Sequence, residues 1–159
     1  MTNEELLCGT VLASWKQVMG RLDKAVGAMT DEQAERQVAA GKNRLRYLVG
    51  HLAVVHDMLV AALGVGERTL NGLDEAYLKN PDGAVEDPVA FAEVKAALLE
   101  VNGRLTAALE GWAPGEWLER HGSVSVEDYA KEPLRNRLAM VLSRTNHASF
   151  HLGQMVLVK

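Results

Sequence analysis

Ser143-Arg144-Thr145-Asn146-His147-Ala148-Ser149-Phe150-His151-Leu152-Gly153-Gln154 is the stretch on which the reading of this chain turns. Leu134, Leu138, Val141 and Leu142 precede or enter it, and Met155 and Val158 follow, at spacings that draw one apolar stripe along a helix. His147 and His151 lie four residues apart, so a single helical turn stacks them on a common face. A helix carrying two imidazoles within its apolar stripe has to pack that stripe on other helices. The rings, costly to bury unpaired, then need partners there. Pro133 is expected to open this last helix at its first position.

Three more segments carry the same periodicity. Thr2 and Glu5 form a capping box for a helix over about Asn3 to Ala28, with Leu6, Val11, Trp15, Val18, Leu22 and Val26 as its stripe. Thr30-Asp-Glu-Gln33 starts a short extra turn. A second long helix begins after Asn43, holds Leu45, Leu48, His51, Leu52, Val55 and Leu59 on one side, and ends near Gly64 and Gly66. Asp87 as cap and Pro88 at the first helical position predict a third, whose stripe Phe91, Val94, Leu98, Val101, Leu105 and Leu109 runs to Gly111. Pro114, Gly115 and Gly122 make the stretch between Trp112 and Glu132 irregular. No alternation of strand type occurs. The fold class is therefore all-α: an antiparallel four-helix bundle with long connections after helices two and three, a single domain over residues 1–159.

The 17 Lys+Arg and 21 Asp+Glu are scattered, for a net charge of -4, and form no basic stripe that would grip a phosphate backbone. Nucleic acid is excluded as a partner. No cationic leader and no uninterrupted apolar span are visible, so no membrane association and a cytoplasmic location are expected. Cys8, the single cysteine, reads as a buried inert thiol in the first helix.

The histidine pair needs a third ligand to hold a metal ion, and His51, on the apolar side of helix two, is the candidate. Ala148 stands where zincins place glutamate, and no Glu-x-x-His motif of a di-iron bundle occurs. What remains is a three-histidine site, His51, His147 and His151, with positions open to water or substrate. Imidazole donors suit zinc, nickel, iron or another divalent ion and leave the choice among them open, with zinc or nickel the first expectation. His56 lies about 140° round the helix from His51 and is expected to be exposed. His121 reads as a loop histidine at the surface. Trp112 and Trp117 either wall a pocket or close the end of the core. Gly153 suggests close approach by a helix or ligand, and Arg144 either a solvated salt bridge or a contact to a carboxylate.

Leu48-Val49-Gly50-His51-Leu52-Ala53 and Asn146-His147-x-x-x-His151-x-Gly153-Gln154 resemble the two ligand motifs of the DinB-like (YfiT-like) family of four-helix-bundle metalloproteins. Helix order and spacing fit over nearly the whole chain. The resemblance implies His51, His147 and His151 as ligands, with Gln154 supporting them. Leu152 departs from the arginine that many relatives carry there. Family members include thiol transferases that use bacillithiol or mycothiol and a mycothiol-dependent isomerase. The implied function is metal-dependent activation of a low-molecular-weight thiol, as in an S-transferase, or of water, on a small-molecule substrate. No side chain is assigned as catalytic. The alternative is a non-catalytic divalent-metal-binding or stress-related interaction protein. A homodimer is implied in either case.

Overall fold

Thr2 and Glu5 close their capping box: the Thr2 hydroxyl accepts from Glu5 N at 3.1 Å, and the Glu5 carboxylate accepts from Thr2 N at 2.6 Å. That box starts α1 (Asn3–Ala28) in a computed structural model that describes residues 1–158. Thr30 and Gln33 repeat the device for α2 (Asp31–Ala34). There follow α3 (Leu45–Ala62), α4 (Phe91–Glu110), the short α5 (Pro114–Trp117) and α6 (Val126–Lys131), and α7 (Arg137–Met155). Segment 63–90 also holds a 3₁₀ turn at Asn71–Leu73 and a π-turn at Glu75–Lys79. No strand occurs among the described residues.

Long-range pairings fix the directions of the four long helices. Arg46 reaches Val89 O and the Phe91 ring, and His56 meets Asn102, so α3 and α4 run parallel. Lys95 donates to Met29 O and Trp15 Nε1 to Thr106, so α4 is antiparallel to α1. Arg137 caps the Trp112 ring beside α5, itself packed on the start of α1, while Met155 shares a cavity with Ala25 and Ala28 near the end of α1. α7 is therefore parallel to α1. The expected all-antiparallel order does not hold: two parallel pairs, α1 with α7 and α3 with α4, oppose each other. α3 packs most closely on α4 and α1 on α7, which leaves a looser seam between α3 and α7.

Trp15, Leu22, Leu52, Tyr77, Leu98, Leu105 and Trp117 are among the side chains fully or almost fully buried in the common core. α3 alone among the described helices is long and apolar enough to cross a membrane, yet 67% of it is buried inside the bundle, as befits a core helix. Cys8 is buried, as expected.

Several local expectations are corrected. α4 begins at Phe91, with Ala90 as its cap and Glu93 accepting from Ala90 N, because the Asp87 carboxylate is claimed by Arg44 and Arg46. α7 begins at Arg137, with Asn136 accepting from Ala139 N, so neither Pro133 nor Leu134 is helical and Leu134 is exposed. Leu6, assigned to the stripe of α1, faces outward. The irregular stretch after Trp112 contains two helical turns, and Gly122 N donates to Ala62 O, tying it to the end of α3. Trp112 and Trp117 pack edge to face at 5.2 Å beside Pro114 and Cys8, closing the end of the core remote from the histidine pair.

Candidate metal centre

His51, one and a half turns into α3, and His147 and His151 on successive turns of α7 meet across the loose seam. All three are half-buried. Their Nε2 atoms converge: His51 to His147 is 3.3 Å and His151 to His147 is 3.1 Å. Donors about 2.0–2.1 Å from one tetrahedral ion stand roughly 3.3 Å apart, so this triangle has the dimensions of a metal site. No fourth His, Cys, Asp or Glu donor joins the group among the described residues.

Hydrogen bonds decide which nitrogens face the centre. His51 Nδ1 donates to Tyr77 O at 3.0 Å, and His151 Nδ1 donates to Gln154 Oε1 at 2.8 Å. Both rings thus present an unprotonated Nε2. His147 Nε2 can donate to only one of them, so at least one pair of facing lone pairs is left unrelieved. A cation at their common point removes that repulsion, and the outer hydrogen bonds are those that orient ligand histidines. The residues fit a divalent ion. All three rings are held neutral: burial is the main cause of their lowered pKa, and His147, crowded also by His151, His51 and Arg144, is pushed down to about 4.

Aromatic rings buttress the α3 side. Tyr47 stacks on His51 at 6.3 Å and 5°, and its hydroxyl donates to Asn80 O. Gly50 explains how Tyr77 comes so close: a Cβ there would lie 2.4 Å from Tyr77 Cγ. In the sequence Tyr77 lies within the long connection after α3, and its one signal is Gly50, a glycine in the interior of an apolar helix. On the α7 side, a cavity of about 440 Å³ opens beside His151, between Val38, Lys42, Leu48, Phe150 and Leu157.

Other sequence candidates fall differently. His56, expected to be exposed, is fully buried, because α4 covers the far side of α3. Its Nδ1 donates to Asn102 Oδ1 at 2.6 Å, and Asn102 donates to Asp23 at 2.7 Å. His121 is half-buried in the loop after α5, where its Nδ1 accepts from Ser123 N. A Cβ on Gly153 would meet nothing within 4 Å, so this glycine permits no close approach. Arg144 makes no salt bridge among the described residues, and its Nε is buried without a partner.

A bundle of this topology with a histidine triad on its open seam defines a class, and the chain belongs to it: the DinB superfamily, whose family profile matches residues 14–155. Among solved structures, the chain is similar to YfiT from Bacillus subtilis, described as a probable metal-dependent hydrolase with an unusual four-helix bundle topology. That likeness has a TM-score of 0.59 at 18% identity and covers 98% of this chain and 86% of the other. No curated protein matches the chain.

Proposed function

We propose that the chain is a metal-dependent enzyme in which His51, His147 and His151 hold a divalent ion, zinc or nickel, and a small thiol bound there attacks an electrophilic substrate. The observation that carries this is the convergence of three neutral imidazole nitrogens at ligand spacing with no fourth protein donor beside them. Bound there, such an ion acts as a Lewis acid that lowers the pKa of a coordinated thiol or water. Three neutral ligands leave its charge uncompensated. His51 and His151 are oriented by Tyr77 O and Gln154, which hold their Nε2 lone pairs toward the centre. Among the described residues no carboxylate joins the triad as a general base, which favours a thiol, acidic enough to be deprotonated by coordination alone. Water is the second reading, and the description of YfiT as a probable hydrolase favours it. A cytoplasmic location and pairing with a second copy are part of the proposal. Exposed Phe150, Val156 and Leu157 near the end of α7 offer apolar surface for such a pair.

Metal analysis of untagged protein is expected to give one ion per chain. H51A, H147A and H151A should each weaken binding on the order of 100-fold or more, beyond what loss of an outer hydrogen bond costs. Metal-loaded and apo protein are then compared with a panel of small thiols and a model electrophile, and with ester and amide substrates. Metal-dependent conjugation supports the thiol reading, and metal-dependent hydrolysis alone replaces it with the water reading. Neither activity, together with a cobalt-substituted centre that no thiol perturbs, overturns catalysis in favour of a structural or sequestering site.

A further inference from the structure

Arg144 lies one turn before His147 on the same face of α7, so the seam that holds the triad also holds a guanidinium. Its Nε is buried without a hydrogen-bond partner, and no ion pair or hydrogen bond to any of its nitrogens occurs among the described residues. The other half-buried arginines are all matched. Arg44 pairs with Asp82, Glu35 and Asp87; Arg46 with Glu35 and Asp87; Arg68 with Asp57 and Asp74; and Arg137 with Glu119. Arg104 donates to Thr69 and to Glu67 O. A chain with 21 acidic residues places none beside Arg144. Arg144 is half-buried with no counter-charge, and the partial loss of hydration is relieved by an anion arriving from outside.

The position is close to the candidate centre. Arg144 and His147 are three residues apart on α7, which puts the two side chains on neighbouring turns of one face. One turn further along, His147 Nδ1 is also without a partner. With a metal ion held on His147 Nε2, the ring proton would sit on Nδ1, and that atom is buried without a partner. His51 and His151 each have an outer acceptor, in Tyr77 O and Gln154; His147 has none. Two donors on successive turns, both buried and both unsatisfied, ask for an oxygen acceptor, and a guanidinium favours a carboxylate or similar oxyanion through paired N–H groups.

We propose that Arg144, with His147 Nδ1–H beside it, is an anion-binding subsite of the three-histidine centre, so that the small molecule it takes carries a carboxylate in addition to its reacting group. This rests on the triad being a metal centre, which zinc stoichiometry tests separately before any ligand is added. The probes are 3-mercaptopropionate and its neutral methyl ester, which share a thiol and differ in charge. Binding to zinc-loaded protein is followed by titration calorimetry and by the ¹H–¹⁵N resonance of Arg144 Nε, assigned by its loss in R144Q. The acid is expected to move that resonance and to bind about tenfold or more tightly than the ester, as befits a charge-assisted hydrogen-bonded contact. In zinc-saturated protein R144Q should abolish the preference while the ester still binds, and R144K should recover part of it. Equal binding of acid and ester, no binding of the acid, or an unmoved Arg144 resonance at saturation overturns the subsite while leaving the zinc stoichiometry standing. Failure of the triad to take zinc overturns both.

Discussion

His56 shows what a single buried ring imposes on the chain. It is enclosed between α3 and α4, 5.7 Å from the Trp15 ring, with Asn102 accepting from Nδ1 and no partner at Nε2. Burial pushes its pKa from 6.5 down to about 4, against the opposing pull of the Asn102 hydrogen bond. The sign of the pH dependence follows. Above 6.5 both folded and unfolded chains carry a neutral ring and His56 is indifferent to pH. Between 6.5 and about 4 the unfolded chain takes up a proton that the folded one refuses, so stability is lost as pH falls, by about 3 kcal/mol at the end of that window. Urea melts of apo protein at pH 7 and pH 4.5 should therefore show a smaller acid loss for H56Q than for the natural chain. Equal losses would remove His56 from the account. The Asp23 carboxyl, raised by burial and steadied by Asn102, ends the same polar chain near the surface.

At the level of elements, the π-turn at Glu75–Lys79 does for the triad what no neighbouring residue on α3 can: it brings the Tyr77 carbonyl to His51 Nδ1. Its seat is secured at both ends, by Gly50 under the Tyr77 ring and by Arg44, which binds Asp82 and Asp87 beyond it. G50A would drive a methyl into the ring, and the helix and turn would have to separate. Overpacking of this kind costs about 2–3 kcal/mol. Thermal melts should show that loss, and zinc affinity should fall about 10–100-fold, the usual effect of losing an outer hydrogen bond. G50A with natural zinc affinity would mean that Tyr77 does not orient His51. The long helices and the three histidines were legible in the sequence because periodicity, capping boxes and i,i+4 spacing are local signals. α1 runs as expected from Asn3 to Ala28, and the stripe of α4 is buried along its whole length. Tyr77, Asp87 and His56 were not legible, because each is decided by a partner distant in sequence. Asp87 is a good cap by type, but Arg44 and Arg46 reach it first. His56 points away from His51, which spacing predicts, yet α4 waits on that side, which spacing does not.

At the scale of the molecule, the pairing of parallel helices explains why the candidate centre lies where it does. With α1 packed on α7 and α3 on α4, the backbones of α3 and α7 approach each other least among these neighbouring long helices, and three rings lie in that seam. Repulsion between the facing imidazole nitrogens works against closure of that seam, and an ion bound by one ligand from α3 and two from α7 would clamp it. Ligation should then stabilise the entire fold. An ion that binds only the folded chain adds about 2.7 kcal/mol when present at a hundred times its Kd, and each kcal/mol is worth about 2–4 °C in Tm for a domain of this size. Zinc is thus expected to raise Tm by about 5–10 °C over chelator-treated protein. The gain should disappear in H51A, which unhooks α3, and in H147A, which removes the nitrogen shared by both close contacts. It should also vanish at acid pH, where protonated imidazoles no longer bind metal. Equal Tm values with zinc and with chelator at neutral pH would show that the seam is held shut without metal.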